Sequence, residues 1–385
     1  MEKQDYLISI VVPTKNRYIY LKELVKLINS FDDNAIELVI QDNSDNNQEI
    51  LDFLKSEQKD NIRYYYCNDQ LAATENADKA ILNSTGEFVC FIGDDDGVMS
   101  WITDVVRYMK REHIDSLISN KPNYSWPDIK SAIVDSSSSL NIIKPSSKIL
   151  NIDPIKELYK TQKKGFLTMG NLPRVYQGII KRSSLDDLYN QTGTFFPGPC
   201  PDMCNAVGLT YIVKKHVYVD FPVVISGAGY NSAAGMGARH KHSAKISEVS
   251  FLPKHTEDEW ELTIPKYWLG QTIWPNTAIK ALRNTGHSQE IDNINFNRIY
   301  GAVLAFHPNL FKIVLQYINI KNLIPVATYF FNFVLLRAKY LLINFLANKS
   351  IKIGNIKWIY DIPSIRDAEN LLKTNYYSST SILTL

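Results

Sequence analysis

Three adjacent carboxylates, Asp94, Asp95 and Asp96, follow an apolar run from Phe88 to Ile92, separated from it only by Gly93. Carboxylates set that close repel one another unless a cation lies among them. Hard oxygen ligands select Mg2+ or Mn2+, ions that commonly bridge protein carboxylate and substrate phosphate. The same triplet also reads as a solvated acidic turn capping the helix that follows. Two further polar clusters share its setting: Pro13-Thr14-Lys15-Asn16-Arg17 ends one apolar run, and Asp42-Asn43-Ser44 ends another. In open α/β sheets ligands bind beyond the carboxyl ends of the strands, so the three clusters can converge on one crevice. None is a phosphate-cradling glycine loop of the Walker type. The string Gly227-Ala228-Gly229-Tyr230-Asn231-Ser232 starts like a dinucleotide fingerprint but lacks the third glycine or alanine, and reads as a flexible loop. Behind it come His240 and His242 with Arg239 and Lys241. They read either as a mobile lid with a histidine in a metal shell, or as an exposed basic loop.

These clusters need a frame that brings strand ends together, and the first ~120 residues supply one. Leu7 to Val12, Ile36 to Ile40, Ile62 to Tyr66 and Phe88 to Ile92 are strand-like apolar runs. Between them lie helical patterns: Tyr18, Leu21, Leu24, Val25, Ile28 and Phe31 on one face, then Gln48 to Ser56, then the small-residue stripe Ala73, Ala77, Ala80 and Ile81. Ile102, Val105, Val106 and Met109 mark another helix. Such alternation predicts a doubly wound, mainly parallel sheet. Lys121 to Ser147 reads as a loop-rich insertion or hairpin, Asp153 to Lys163 as a helix, Gly178 to Lys181 as a short strand, and Val217 to Ile225 as paired strands around Pro222. Asp202 stands between the Gly/Pro-rich loop Thr192–Pro201 and an apolar stretch from Met203, where spacing alone makes it a helix N-cap. After about Phe251 the composition shifts to long helices with many aromatics.

The whole chain bounds the function. It has 385 residues, 45% of them apolar and 21% charged, ordinary for a globular protein of about two domains. A net charge of +2 gives no reason to expect nucleic acid as a partner. Four cysteines are too few for a disulfide scaffold. Cys200 and Cys204 have no second ligand pair at zinc spacing and read as buried or half-buried thiols. The acidic N-terminus is unlike a secretory signal, and no window of about 18 uncharged apolar residues is present, so a reducing cytoplasm is the expected compartment.

The segments Ser9–Arg17, Asp42-Asn43-Ser44 and Gly86–Asp96 together resemble the family 2 glycosyltransferases of GT-A fold over residues 7–110. A weaker likeness runs to about residue 230, through Gly178–Ser183 and Pro201-Asp202. The resemblance implies a GT-A-like doubly wound mixed sheet with helices on both faces, spanning residues 1–250, and it leaves 251–385 as a separate helical region. It also implies a site. Pro13, Thr14, Asn16 and Arg17 would line the nucleotide, and Asp42 would accept a hydrogen bond from the base. The triplet resembles the family's DxD motif. Asp94 would face the ribose and Asp96 hold Mn2+ or Mg2+; with the register shifted by one, Asp95 and Asp96 take those roles. His242 is a further candidate metal ligand. Asp202 matches the catalytic base of inverting members, although Pro201 stands where the family often has an acid.

The activity so implied is transfer of a sugar from a nucleotide donor, a UDP-sugar by expectation, to a hydroxyl of a glycan or lipid-linked glycan acceptor. A sugar-nucleotide nucleotidyltransferase is an alternative, but the expected Gly-rich basic loop is absent; a noncatalytic membrane-associated assembly factor is another. Trp101, Trp126, Tyr124 and Tyr176 are candidates for stacking on sugars or for core packing. The very apolar stretch Ile324–Ala347, with Lys312, Lys321, Arg337, Lys339, Lys349 and Lys352 in and around it, reads as a buried helical hairpin or as an interfacial helix on an anionic membrane. The second reading places the chain peripherally at the cytoplasmic face of the inner membrane.

Overall fold

The computed structural model describes residues 6–57, 59–129, 138–143, 146, 148–232, 235–236, 243–347 and 356–377. The strands are β1 (Ile8–Thr14), β2 (Ile36–Asp42), β3 (Ile62–Tyr66), β4 (Phe88–Phe91), β5 (Gly97–Val98), β6 (Ser116–Asn120), β7 (Asn123–Ser125), β8 (Ser139–Ile143), β9 (Ile149–Ile152), β10 (Gly178–Lys181), β11 (His216–Pro222), β12 (Val224–Ala228) and β13 (Ile356–Tyr360). The helices are α1 (Tyr18–Asn29), α2 (Gln48–Glu57), α3 (Ala73–Leu82), α4 (Ile102–Arg111), α5 (Pro154–Lys163), α6 (Arg182–Thr192), α7 (Pro201–Leu209), α8 (Gly270–Asn284), α9 (Phe296–Phe306), α10 (Phe311–Val314), α11 (Leu323–Ala347) and α12 (Ile365–Tyr377).

Eight strands form the main sheet in the order β3-β2-β1-β4-β10-β6-β11-β9. β3, β2, β1 and β4 are parallel neighbours, whereas β10 runs antiparallel to both β4 and β6. The sheet is therefore mixed. Alternation along β1 shows why its sequence is apolar almost throughout: Ile8, Ile10 and Val12 enter the layer of α1 and α4, while Val11 enters the opposite layer of α3, α6 and α7. Ser9 breaks the run because it meets a buried acid. Its hydroxyl donates to Glu37, which also accepts from Thr85 and pairs with Arg63 at 3.0 Å.

The insertion after β6 contains the antiparallel pair β7 and β8. Beyond residue 251 the chain is not helical throughout. β13 pairs with β8, the Tyr124 hydroxyl donates to the Ile362 carbonyl (2.9 Å), and Glu369 on α12 accepts from the Ser100 backbone and hydroxyl. The last segment thus returns to the face of the sheet covered by α1. The apolar stretch from Ile324 packs one side on α9, where Phe333 meets Phe306 and Arg337 donates to the Ala305 carbonyl (3.3 Å). Gly301 of α9 lets α11 approach so closely that a Cβ there would lie 2.7 Å from Tyr329 Cβ and 2.8 Å from the Phe330 nitrogen. On its other side Ile324, Phe331, Leu335, Leu336 and Leu341 are 56–76% exposed, so the buried-hairpin reading fails for that face.

Candidate active site

The ends of β1 and β2 are clasped together. Asn16, in the left-handed region at φ 56°, donates its backbone N–H to Ser44 Oγ (2.7 Å), and its amide exchanges hydrogen bonds with Asp45 (2.9 and 3.0 Å). Asn43 donates to the carbonyls of Cys67 and Asp69. Pro13 is half-buried, opposite Gln41 in the β1–β2 register. Asp42 lies at this junction but is fully buried. One oxygen accepts the hydroxyls of Tyr18 and Tyr64, each at 2.7 Å, and the other accepts the Ser44 N–H. Its carboxylate is occupied with shaping the loop, so a contact from Asp42 to a base would require those hydroxyls to move.

The acidic triplet divides by partner. Asp94 is taken by cation and hydroxyl: Arg17 Nη2 lies 2.9 Å from Oδ1, and Arg17 Nε and Thr14 Oγ1 donate to Oδ2 at 3.1 and 2.6 Å. Burial works against the Arg17 charge, but Asp94 and Asp95 outweigh it and raise its pKa. Burial likewise pushes Asp94 up to about 6, with Arg17 opposing and Asp95 adding to the rise. Asp96 is held by neutral donors. Its Oδ1 accepts from Gln177 Nε2 (2.9 Å) and the Gly227 N–H (2.7 Å), and its Oδ2 accepts from the Gly93 N–H (2.9 Å). Among the described residues it forms no ion pair within 4.0 Å, and burial with the Asp95 charge pushes it up to about 7. Asp95 accepts the Gly229 N–H at 2.9 Å and stands 3.9 Å from Arg17.

The glycines at 227 and 229, read from the sequence as part of a flexible loop, have a packing reason. A Cβ on Gly227 would fall 1.7 Å from the Asp95 carbonyl oxygen, and one on Gly229 would enter the Tyr20 ring. Only bare backbone comes close enough to hold two carboxylates.

Asp202 is the second residue of α7, and Cys200 is the N-cap, so the N-cap reading of Asp202 does not hold. A negative charge in a first helical turn is favoured by the backbone dipole. Its Oδ1 accepts from Met203 N–H (2.7 Å) and Cys200 Sγ (2.9 Å), while Oδ2 accepts nothing from the described residues. Near it stand Lys121 and Arg174, which the sequence did not single out, and Tyr176. Lys121 Nζ donates to Gln177 Oε1 at 2.7 Å. Arg174 donates to the Gly170 and Leu172 carbonyls, its Nε is buried without a partner among the described residues, and burial lowers its pKa to about 10 against the pull of Asp202. The Tyr176 phenol is held well above its ordinary pKa by burial and by the charges of Asp96, Asp95 and Asp202. Asp96 and Asp202 both act electrostatically on Lys121 and Tyr176, so the triplet and the α7 acid lie near the same two side chains.

Trp101, Trp126 and Tyr124 belong to the core; Trp126 Nε1 donates to the Asp95 carbonyl (2.8 Å) and supports the acidic turn from beneath. Of the four aromatics named as sugar-stacking candidates, Tyr176 is the one near both the triplet and Asp202. Cys204 is buried and Cys200 half-buried, both as free thiols. His240 and His242 lie outside the described residues.

Residues 9–166 match the family model described as Glycosyl transferase family 2. A curated relative, GalNAc(5)-diNAcBac-PP-undecaprenol beta-1,3-glucosyltransferase of Campylobacter jejuni, is 30% identical over 96 residues, 24% of this chain and 31% of the relative. The chain therefore spans under a third of that relative's length. Among solved structures, S. aureus TarS 1-349 in complex with UDP-GlcNAc aligns with a TM-score of 0.49 at 15% identity, covering 85% of this chain and 80% of that one. The same protein in complex with UDP aligns at 0.43 and 14%, covering 80% and 88%. The match to glycosyl transferase family 2 covers residues 9–166, the part of the chain that carries the clasped strand ends and the acidic triplet.

Proposed function

We propose that the protein is a metal-dependent, inverting glycosyltransferase that moves a sugar from a UDP-sugar to a hydroxyl of a surface glycan carried on a membrane lipid. The observation that carries this reading is that two kinds of acid lie near the same side chains. Asp96, beside Asp95 in the triplet, and Asp202, with an oxygen free of described partners, both act electrostatically on Lys121 and Tyr176.

The residues fit a divalent cation. Asp96 is buried, held only by neutral donors and pushed up to about 7 by burial and the Asp95 charge, a state that a cation beside it would relieve. Asp94 is already compensated by Arg17, which favours Asp95 and Asp96 as the metal side and Asp94 as the nucleotide side. Among the described residues no three metal-ligating side chains gather, so substrate phosphate and water would complete the shell. Bound there, Mn2+ or Mg2+ would neutralise charge on the departing diphosphate.

The chain's own residues do the remainder. Cys200 and the Met203 N–H hold Oδ1 of Asp202, which leaves Oδ2 to take the proton of an acceptor hydroxyl. As the acceptor oxygen bonds to the anomeric carbon, the bond from carbon to diphosphate oxygen breaks on the opposite face, and configuration inverts. The β1 and β2 end loops, fixed by Asn16, Ser44 and Asp45, form the floor for the nucleotide.

The lipid-linked acceptor is supported from two sides. The Campylobacter jejuni relative carries an undecaprenol-linked acceptor in its name. In this chain, no Asp or Glu occurs between Asp292 and Asp361, while Lys312, Lys321, Arg337 and Lys339 accompany the exposed apolar face of α11. An apolar face edged by cations suits peripheral contact with an anionic cytoplasmic leaflet. No described helix is long and apolar enough to cross a membrane. A panel of nucleotide sugars, scored by thermal stabilisation with and without Mn2+ and then by transfer to a polyprenyl-diphosphate glycan, tests the proposal. A product anomer opposite to the donor's is expected. Failure of every nucleotide sugar to stabilise the protein would count against it.

A further inference from the structure

Lys121 leaves β6 at the carboxyl edge of the sheet, with its side chain half-buried. Its ammonium donates to Gln177 Oε1 at 2.7 Å and forms no ion pair with a described carboxylate. An ammonium drawn out of bulk water ordinarily finds a carboxylate rather than a neutral amide, so the pairing leaves its charge uncompensated. An ammonium has three donors and one is used here, so two remain for a ligand. The charge persists near neutral pH: burial and Arg174 lower the pKa to about 8, while Asp96 and Asp202 pull it upward.

Gln177 is built to present that cation. Its backbone sits in the left-handed region at φ 52°, a strained conformation for a residue with a side chain. Its amide nitrogen is held by Asp96 Oδ1 (2.9 Å) and Ser226 Oγ (3.1 Å), which turns Oε1 towards Lys121. The chain therefore runs Asp96, Gln177, Lys121, and it fixes the ammonium close to the acid on the metal side.

We infer that Lys121 is a fixed cation that binds the diphosphate of the nucleotide donor, with Gln177 as its positioning residue. The inference rests on the glycosyltransferase reading above and adds a residue that the family resemblance did not carry. A compact, strongly hydrated point charge suits phosphate oxygens better than sugar hydroxyls, which need no charge. Two sources of positive charge would then meet the leaving group, one a protein side chain that stays in place when the metal is removed.

The test is calorimetric titration of UDP, UMP and uridine in EDTA, with GDP, CDP and dTDP alongside. The proteins are the wild type, Lys121→Met and Lys121→Gln; the Gln variant keeps a donor for Gln177 without the charge. Loss of a charge-assisted phosphate contact should weaken nucleoside diphosphate binding about 10- to 100-fold in both variants and leave uridine binding unchanged. An equal weakening of UDP and uridine would make Lys121 a structural lock for Gln177 and overturn the inference, as would unchanged binding of both. If the wild type binds none of the four nucleoside diphosphates in EDTA or with Mn2+ restored, the glycosyltransferase reading itself falls. That outcome is distinct from a wild type that prefers UDP to uridine while the variants do so equally.

Discussion

Replacing Asp96 by Asn should leave the metal-free protein as stable as the wild type or more so at pH 7.5, while abolishing its response to Mn2+. Asp96 is fully buried without an ion pair among the described residues, and burial together with Asp95 pushes its carboxyl from 3.8 up to about 7. A raised acid makes its full contribution below the unfolded value and loses it as pH climbs to the folded one. Between about pH 4 and 7 the unfolded chain gives up this proton first, so stability falls with rising pH and then levels off. At about 1.4 kcal/mol per pKa unit, the cost at pH 7.5 is roughly 4 kcal/mol as an upper bound. Asn keeps an acceptor for Gln177 and Gly227 but turns a donor towards the Gly93 N–H, which forfeits about 1.5–3 kcal/mol. The net expectation is about 0–2 kcal/mol of stabilisation at pH 7.5, which falls away between about pH 7 and 4 and gives way to about 2–4 kcal/mol of destabilisation near pH 4. Paired melting curves in EDTA from pH 4.5 to 8, repeated with Mn2+ and UDP, measure both parts. A variant that is less stable than wild type by more than about 2 kcal/mol at pH 7.5, or that keeps the full Mn2+-dependent shift, would refute the reasoning.

Three further outcomes follow from named contacts. Asp42→Ala deprives the Tyr18 and Tyr64 hydroxyls and the Ser44 N–H of their acceptor, so stability should drop by about 2–4 kcal/mol and donor Kd should rise as the loop loosens; an unchanged Kd in calorimetry would remove the β2 end from the nucleotide site. His216 is buried with its ring nitrogens on the Asn171 and Ser116 carbonyls, and burial lowers its pKa from 6.5 to about 4. The unfolded ring is protonated first, so the wild type should lose about 3 kcal/mol between pH 6.5 and 4 relative to His216→Gln in urea denaturation, and parallel pH profiles would contradict this. Flotation with phosphatidylglycerol vesicles should recover the protein in proportion to anionic lipid, less so at high salt, and not at all for Leu335→Glu with Leu336→Glu; equal recovery with neutral vesicles would assign the exposed α11 face to another partner.

The parts legible in the sequence are local ones. β1 to β4 and the helices between them follow from period and burial on both faces, and the clusters at Thr14, Asp42 and Asp94 were visible because each ends an apolar run. What those side chains bond to was not legible. The Arg17–Asp94 pair, which bears on the register of the triplet, joins residues 77 apart, and the Tyr64–Asp42 contact crosses two strands. Lys121 and Gln177 were passed over because a single Lys after a strand and a Gln before one carry no spacing signal; the rule that ligands gather at carboxyl strand ends, applied to β6, would have picked out the lysine. Asp202 looked like an N-cap because the Gly/Pro loop hid that Pro201 begins the helix. Exposure of the outward side of α11 could not be read from an apolar run that suits a core and a membrane surface equally.

The central claim is that Asp202 removes the acceptor's proton, and one mutant measures it. Asp202→Asn preserves the shape of the side chain and can still accept from Met203 and Cys200, but it cannot take a proton at neutral pH. Sugar transfer, donor Kd and melting temperature are measured on the same preparation, with the donor and acceptor that the panel identifies. The account predicts a kcat lower by about 100-fold or more, with donor Kd and melting temperature little changed. Transfer at near wild-type rate by Asp202→Asn would contradict it.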